Sequence, residues 1–228
     1  MSYNVILIDL DETILDFRHA EKNAHKLTTL QFDIPYRESD YKVYHEINDA
    51  LWKELELGLV TREELVIKRF ERYLNYLNSS ADPKAFNEGY ISNLSKGRKL
   101  LNGAEQTLKT LYERGKDIYI ITNGVKRVQD GRLFGQPFMN YVKGVCISEC
   151  VGASKPSLDF FKRAEKLFGI TFDKNTVVVG DSLSSDIKGA NQAGLDSVWI
   201  NAFNKQNQTS VIPTYEVSKI EEVLDIIK

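Results

Sequence analysis

This chain is short of four things, and each shortage removes a class of explanation. Charge of one sign is missing: 30 Lys and Arg stand against 32 Asp and Glu, a formal net charge of −2. Nothing in that balance points to a nucleic-acid polymer or an anionic membrane surface as partner. Long apolar runs are missing too, and none approaches the ~20 residues of a membrane span. The first apolar run is short and ends in acids, with no basic stretch before it and no small-residue cleavage site after it, so no signal peptide is expected. Cysteine is nearly absent. Cys146 and Cys150 have a spacing that fits no common zinc or redox pattern. Both are expected to be reduced, core-lining thiols, which points to a cytoplasmic protein. Internal repeats and low-complexity segments are absent as well.

What remains is an ordinary globular composition, 42% hydrophobic and 27% charged over 228 residues, enough for one large domain or two small ones. Near the start, Val5-Ile6-Leu7-Ile8 runs straight into Asp9-Leu10-Asp11-Glu12-Thr13. A short, mostly β-branched apolar run reads as a buried strand of a parallel sheet. By itself the acidic stretch reads equally well as an ordinary polar turn.

From about Arg18 to Lys96 the texture is helical. Helices are expected over His19–Leu30 and Tyr36–Leu57. Thr61 and Glu64 form a capping box ahead of a third, and Asp82-Pro83 opens a fourth that runs to about Ser95. From Lys99 onward strands and helices alternate. Strands are expected at Asp117–Ile121, Lys143–Ile147, Thr176–Val179, Ser197–Ile200 and near Tyr215. Helices are expected from Asn102 to Gly115, over Val125–Leu133, Ser157–Phe168 and Ser185–Ala193, and from Ser218. Alternation of this kind gives an α/β fold with a doubly wound parallel sheet. The first strand belongs to that sheet, and the helical block that interrupts it is placed to act as a lid.

The polar residues fall where such a fold does chemistry, just beyond the carboxyl ends of the strands. The first strand delivers Asp9 and Asp11, the second Thr122-Asn123-Gly124. The third is followed by Lys155-Pro156, the fourth by Gly180-Asp181-Ser182 and then Asp186. Singly, these read as a strand-to-helix turn, a surface lysine, a turn acid and a helix cap. Jointly they do not, because Asp9, Asp11, Asp181 and Asp186 gathered at one edge would repel one another. A divalent cation resolves the conflict. An all-oxygen, carboxylate-rich set suits Mg2+, and the lack of histidines and thiolates argues against zinc. The set suits phosphoryl transfer. Asp9 is expected to attack phosphorus and form an aspartyl-phosphate. Lys155 and the metal offset charge on the equatorial oxygens, with donors from Thr122 and the Asn123 backbone. Asp11 points to the same side as Asp9 and serves as acid and then base. Crowding by the other acids is expected to keep Asp11 protonated, while metal contact keeps Asp9 ionised.

Asp9-x-Asp11-x-Thr13, Thr122-Asn123-Gly124, Lys155-Pro156 and Gly180-Asp181-Ser182-x-x-x-Asp186 resemble, in order, the four motifs of the haloacid dehalogenase (HAD) superfamily. The resemblance implies a Rossmann-like core with strand order 5-4-1-2-3, over residues 1–16 and 98–228. It also implies a helical cap of the C1 type over 17–97. It implies a magnesium site using Asp9, the Asp11 carbonyl and Asp181, with Asp186 further out. Asp11, which the dehalogenases lack, favours a phosphatase. Stretches such as Leu15-Asp16-Phe17, Gly58 through Glu63, Arg69-Phe70, Ile147-Ser148-Glu149 and Ile212 through Glu216 are similar to bacterial house-cleaning pyrimidine 5'-nucleotidases. That similarity implies a small phosphomonoester such as UMP, dUMP or dTMP as substrate. Departures occur at Asn102-Gly103, where Pro-Gly is common, and at the irregular Gly135–Met139.

In the cap, Tyr44, Asn48 and Trp52 are four apart and share a helical stripe. Tyr44 or Trp52 could stack on a base, and Asn48 could read a pyrimidine edge. The competing reading places Tyr44 and Trp52 in the core of the cap. Phe17, where the cap departs, is a further candidate wall. Two other readings stay open: a phosphatase of a sugar phosphate or phosphoglycolate, and a silent binding protein on the same fold. The presence of Asp9, Asp11 and Lys155 argues against the second. Monomer and homodimer are equally compatible with the sequence.

Overall fold

The computed structural model describes residues 3–228. β1 (Val5–Ile8) is followed by four helices before any other strand: α1 (Phe17–Gln31), α2 (Glu38–Glu56), α3 (Arg62–Tyr76) and α4 (Pro83–Leu94). Then come α5 (Ala104–Glu113), β2 (Asp117–Thr122), α6 (Lys126–Leu133), a 3-10 turn at Pro137–Tyr141 and β3 (Val142–Ile147). The chain continues through α7 (Ser148–Val151), α8 (Leu158–Phe168), β4 (Thr176–Gly180), a π turn at Leu183–Ile187 and α9 (Lys188–Ala193). It finishes with β5 (Asp196–Ile200), β6 (Tyr215–Val217) and α10 (Val223–Ile226).

The six strands form one sheet in the order β3-β2-β1-β4-β5-β6, and every neighbouring pair is parallel. This is the expected order, with β6 added beside β5. β1 is central, with Ile6 paired to Ile118 on one side and Val177 on the other. Both of its faces are covered, which is why its sequence is apolar without alternation. Ile6 and Ile8 pack with Leu108, Leu111 and the C-terminal Val223. Leu7 packs on the opposite face with Phe160, Phe161 and Ala190.

The helical block has a core of its own, dominated by aromatic rings: Tyr44, Phe70, Tyr73, Phe86 and Tyr90 pack with Ala20 and Ala24. Val128 of α6 joins that cluster, so the block rests on the sheet-bearing part through apolar contact. Local signals set the helix starts. Asp16 accepts from the His19 amide at 3.0 Å, and Asp82 accepts from the Ala85 amide at 2.9 Å with Pro83 in the first turn. The Thr61–Glu64 capping box is complete in both directions. Each cap is worth about 1 kcal/mol.

Three local expectations differ from the structure. The helix expected over Ser185–Ala193 starts as a π turn and becomes α-helical only at Lys188. α7 was not anticipated, because four residues are too few to show a period. Cys150 is exposed on α7, and only Cys146, on β3, lines the core; both are free thiols. Among the described residues, no helix is long and apolar enough to cross a membrane.

Candidate active site

The strand ends meet around one lysine. Lys155 is buried, and its three ammonium protons are all spoken for. Nζ donates to Asp9 Oδ1 at 2.5 Å, to Asp186 Oδ1 at 2.6 Å and to the Ile121 carbonyl at 2.9 Å. Burial alone would pull its pKa down, but Asp186 and Asp9 outweigh burial and hold it above the usual lysine value. The Asn123 side chain fixes the backbone that carries it. Nδ2 donates to the Lys155 carbonyl at 2.8 Å, and Oδ1 accepts from the Lys155 amide at 2.9 Å. Gly180 is required on the other side, since a Cβ there would lie 2.3 Å from Asp186 Oδ2.

Asp9, Asp181 and Asp186 each offer a carboxylate oxygen, and these atoms lie within 4.8 Å of one another. Among the described residues, Lys155 is the one cation at ion-pair distance from the trio. Three acids therefore share a single positive charge. Burial pushes Asp9 up to about 7, Asp186 and Asp11 push the same way, and Lys155 opposes them. Burial, followed by Asp9, Asp186 and Glu12, holds Asp181 well above the usual carboxylate range. A site of this kind is short of positive charge. Its donors are oxygens only, without histidine or thiol, which is the chemistry of a hard divalent cation such as Mg2+.

Asp11 does not join the trio, contrary to the expectation that acids crowd it. Gln129 Nε2 donates to Asp11 Oδ2 at 2.7 Å and also to Thr122 Oγ1 at 3.0 Å. Arg132 Nη1 pairs with Asp11 Oδ1, while Arg132 Nε holds the Gly97 carbonyl at 2.9 Å. Asp11 thus has a cation of its own, Arg132, apart from the lysine that serves Asp9 and Asp186. The intervening backbone is special: Glu12 sits at φ 57°, a left-handed conformation that costs an ordinary side chain roughly 1 kcal/mol or more. Sequence reasoning missed Gln129 and Arg132. The available signal was their spacing of three on the helix that follows Thr122-Asn123-Gly124.

A cavity of about 260 Å³ opens between the acids and the helical block. Asp9, Asp11, Thr122, Asn123, Lys155, Asp181 and Asp186 line its floor, and Phe17, Asn48 and Trp52 line its upper part. Tyr44 does not line it. The ring is fully buried in the core of the block, stacked on Phe70 at 5.4 Å and 8°. Residues four apart advance about 40° around a helix, so a stripe that starts in the core at Tyr44 has rotated onto the cavity by Trp52. Asn48 is between the two, and both ends of its amide are engaged: Nδ2 donates to Glu21 Oε1 at 2.9 Å, and Oδ1 accepts from Arg69 Nη1 at 3.2 Å. Arg62 ties the block down. Its guanidinium donates to the carbonyls of Asn123 at 2.8 Å and Gly124 at 3.2 Å, and to Ser148 Oγ at 2.7 Å. Sequence reasoning assigned no role to Arg62 or Arg69.

Comparison with known proteins places this geometry in context. The profile of the haloacid dehalogenase-like hydrolases matches residues 3–194. YfnB of Bacillus subtilis, named as a HAD-hydrolase, is 36% identical over 225 residues, covering 99% of this chain and 95% of its own. Its magnesium-bound crystal structure superposes with a TM-score of 0.95 over 100% of both chains. The pyrimidine 5'-nucleotidase PynA of Streptococcus pneumoniae is 35% identical over 228 residues, covering 100% of this chain and 96% of its own. The pyrimidine 5'-nucleotidase YjjG of Escherichia coli is 30% identical over 227 residues, covering 100% and 99%.

Proposed function

Because the chain belongs to the haloacid dehalogenase-like hydrolases, we propose that it is a magnesium-dependent 5'-nucleotidase of pyrimidine nucleoside monophosphates. The observation that carries this reading is the under-compensated trio of Asp9, Asp181 and Asp186 around Lys155, at the floor of a small cavity with aromatic walls. Two relatives named pyrimidine 5'-nucleotidases, 35% and 30% identical over nearly their whole length, support the substrate class. The cavity, at about 260 Å³, falls just below the roughly 300 to 1,000 Å³ usual for small-molecule sites, which suits a small ligand.

In this reading an Asp9 oxygen attacks phosphorus in line, forming the Asp9–phosphorus bond as the bond to the nucleoside O5' breaks. Asp11, which lines the same cavity, is the acid in this reading: it takes up a proton from solvent as substrate enters and passes it to O5' as that bond breaks. It then takes a proton from the water that attacks the aspartyl-phosphate, which releases phosphate and restores Asp9. Lys155 holds Asp9 in one orientation throughout, and Thr122 with the Asn123 amide supplies donors to the phosphoryl oxygens. Asp9, Asp181 and Asp186 would hold magnesium, joined by the Asp11 carbonyl in this reading, and the metal would supply positive charge where an anionic nucleophile meets an anionic phosphate. Residues 17–97 are the cap in this reading, and 1–16 with 98–228 the catalytic core. The free thiols Cys146 and Cys150 suit a reducing compartment and hence the cytoplasm.

The test is steady-state kinetics on UMP, dUMP, dTMP, AMP, ribose 5-phosphate and phosphoglycolate, with and without magnesium. Pyrimidine monophosphates are expected to exceed the other substrates at least tenfold in kcat/KM, and only with metal. Preference for ribose 5-phosphate or phosphoglycolate would move the protein to another phosphatase class.

A further inference from the structure

One wall of the cavity is formed by a buried cation that the chemistry at the floor does not use. Arg69 is only 3% exposed, yet its side chain lines the cavity. A guanidinium has five N–H donors. Nη1 donates to Asn48 Oδ1 at 3.2 Å and Nη2 to Asn87 Oδ1 at 2.9 Å. Nε is buried with no hydrogen-bond partner among the described residues. The ring faces of Phe70 and Tyr90 lie 4.8 Å from the guanidinium carbon, which fixes its plane. No carboxylate pairs with Arg69 among the described residues. Glu21, the acid of this network, is instead bonded to Tyr41, His45 and the Asn48 amide, so Asn48 keeps the acid and the arginine apart. A buried charge held by neutral amides and aromatic faces, with no carboxylate, is costly unless an occupant supplies further acceptors.

The surroundings narrow the occupant. Phe17, Trp52, Ile91, Leu94, Val125 and Val128 give the cavity apolar walls. Asp49 and Glu56 line it as well, which disfavours a second anionic group on the ligand. A flat, neutral ring carrying carbonyl oxygens satisfies both conditions. Resting on the nucleotidase reading, we propose that Arg69 determines specificity by donating to a ring carbonyl of the pyrimidine base. Asn48 and Asn87 act as positioning residues that hold the guanidinium toward it.

The experiment compares wild type, Arg69→Met and Arg69→Lys, all with magnesium, on UMP, ribose 5-phosphate and the 2-thio and 4-thio analogues of UMP. Arg69→Met is expected to lose roughly tenfold or more in kcat/KM on UMP, mainly through KM, and to keep its rate on ribose 5-phosphate within about twofold. Arg69→Lys, which keeps the charge but not the fork, recovers only part of the loss. Wild type is expected to discriminate severalfold against at least one thio analogue, because sulfur is the poorer acceptor, and Arg69→Met to discriminate against neither. Equal losses on UMP and ribose 5-phosphate would mark a structural role and overturn the assignment. So would a wild-type enzyme indifferent to both thio analogues, a result that needs no folded variant. With phosphoglycolate added to the panel, wild-type turnover of it that is lost in Arg69→Met would make Arg69 a carboxylate reader and overturn the assignment too. Wild type that handles UMP no better than ribose 5-phosphate sinks the nucleotidase reading itself. A UMP preference that survives in Arg69→Met sinks the Arg69 assignment alone.

Discussion

Arg62 reaches from the first turn of α3 to the loop after β2 and donates to the Asn123 carbonyl at 2.8 Å. The same guanidinium holds Gly124 and Ser148. The helical block is thereby pinned to the loop whose side chain positions Lys155. Charge-assisted bonds of this kind contribute roughly 1.5–3 kcal/mol each when well shielded, less where water competes. Arg62→Ala is expected to loosen the block at the segments near Asp16 and Gly97. Limited proteolysis there should quicken, and KM should rise several-fold. Cleavage and KM equal to wild type would show that apolar contact, through Val128, holds the block by itself.

Asp9→Asn should lower kcat by at least about 10³-fold, because the amide cannot act as the nucleophile. The far-ultraviolet circular dichroism should be unchanged, since Lys155 keeps Asp186 as partner. Magnesium at about a hundred times its Kd stabilises a protein by about 2.7 kcal/mol. The melting temperature of wild type should rise by several degrees in magnesium, and that rise should vanish in Asp181→Asn. An unaltered rise in this variant would remove Asp181 from the metal set.

Gln129 ties Asp11 to Thr122 with two bonds from one amide nitrogen. Gln129→Leu keeps the volume and removes both bonds. We expect kcat to fall about tenfold with KM within twofold, because orientation of the acid matters most in the transition state. Wild-type kcat in this variant would leave Arg132 as the sole partner that positions Asp11.

His25 makes the helical block sensitive to acid. Its ring is buried among Tyr36, Tyr41, Tyr44 and Tyr73, and neither nitrogen has a hydrogen-bond partner among the described residues. Burial lowers its pKa from 6.5 to about 4, with Asp40 and Glu38 opposing weakly. The unfolded chain therefore binds this proton at higher pH than the folded one. Its contribution to stability is complete above about pH 6.5 and is lost progressively as the pH falls toward 4. Between pH 7 and 5 the loss comes to about 2 kcal/mol. Urea unfolding at the two pH values should show that extra slope in wild type and not in His25→Phe. Identical slopes would refute the assignment.

Much of this was legible along the chain. The run Val5–Ile8 into Asp9, the capping box at Thr61 and Glu64, and the strand-end residues Thr122, Lys155 and Asp181 all appear where local pattern places them. The parallel, doubly wound sheet followed from alternation, because parallel strands need helical crossovers of one hand, while the strand order came from the resemblance to the HAD superfamily. The partners of those residues were not legible. Tyr44 and Trp52 look alike on a helical stripe, and only the 40° drift per step, set against the packing of α2 on α3 and α4, puts one in the core and the other on the cavity.

The sequence alone determined the fold class, the block of helices inserted after β1, and the set of groups delivered to one edge of the sheet. These depend on periodicity, caps and turns, which act over a few residues. The tertiary structure decided how the charges are shared. Lys155 serves Asp9 and Asp186, Arg132 serves Asp11 across 121 residues of chain, and Arg69 has no carboxylate partner among the described residues. Which cation meets which acid depends on distances between elements far apart in sequence, and a buried charge responds to the partners within a few ångströms rather than to its neighbours along the chain.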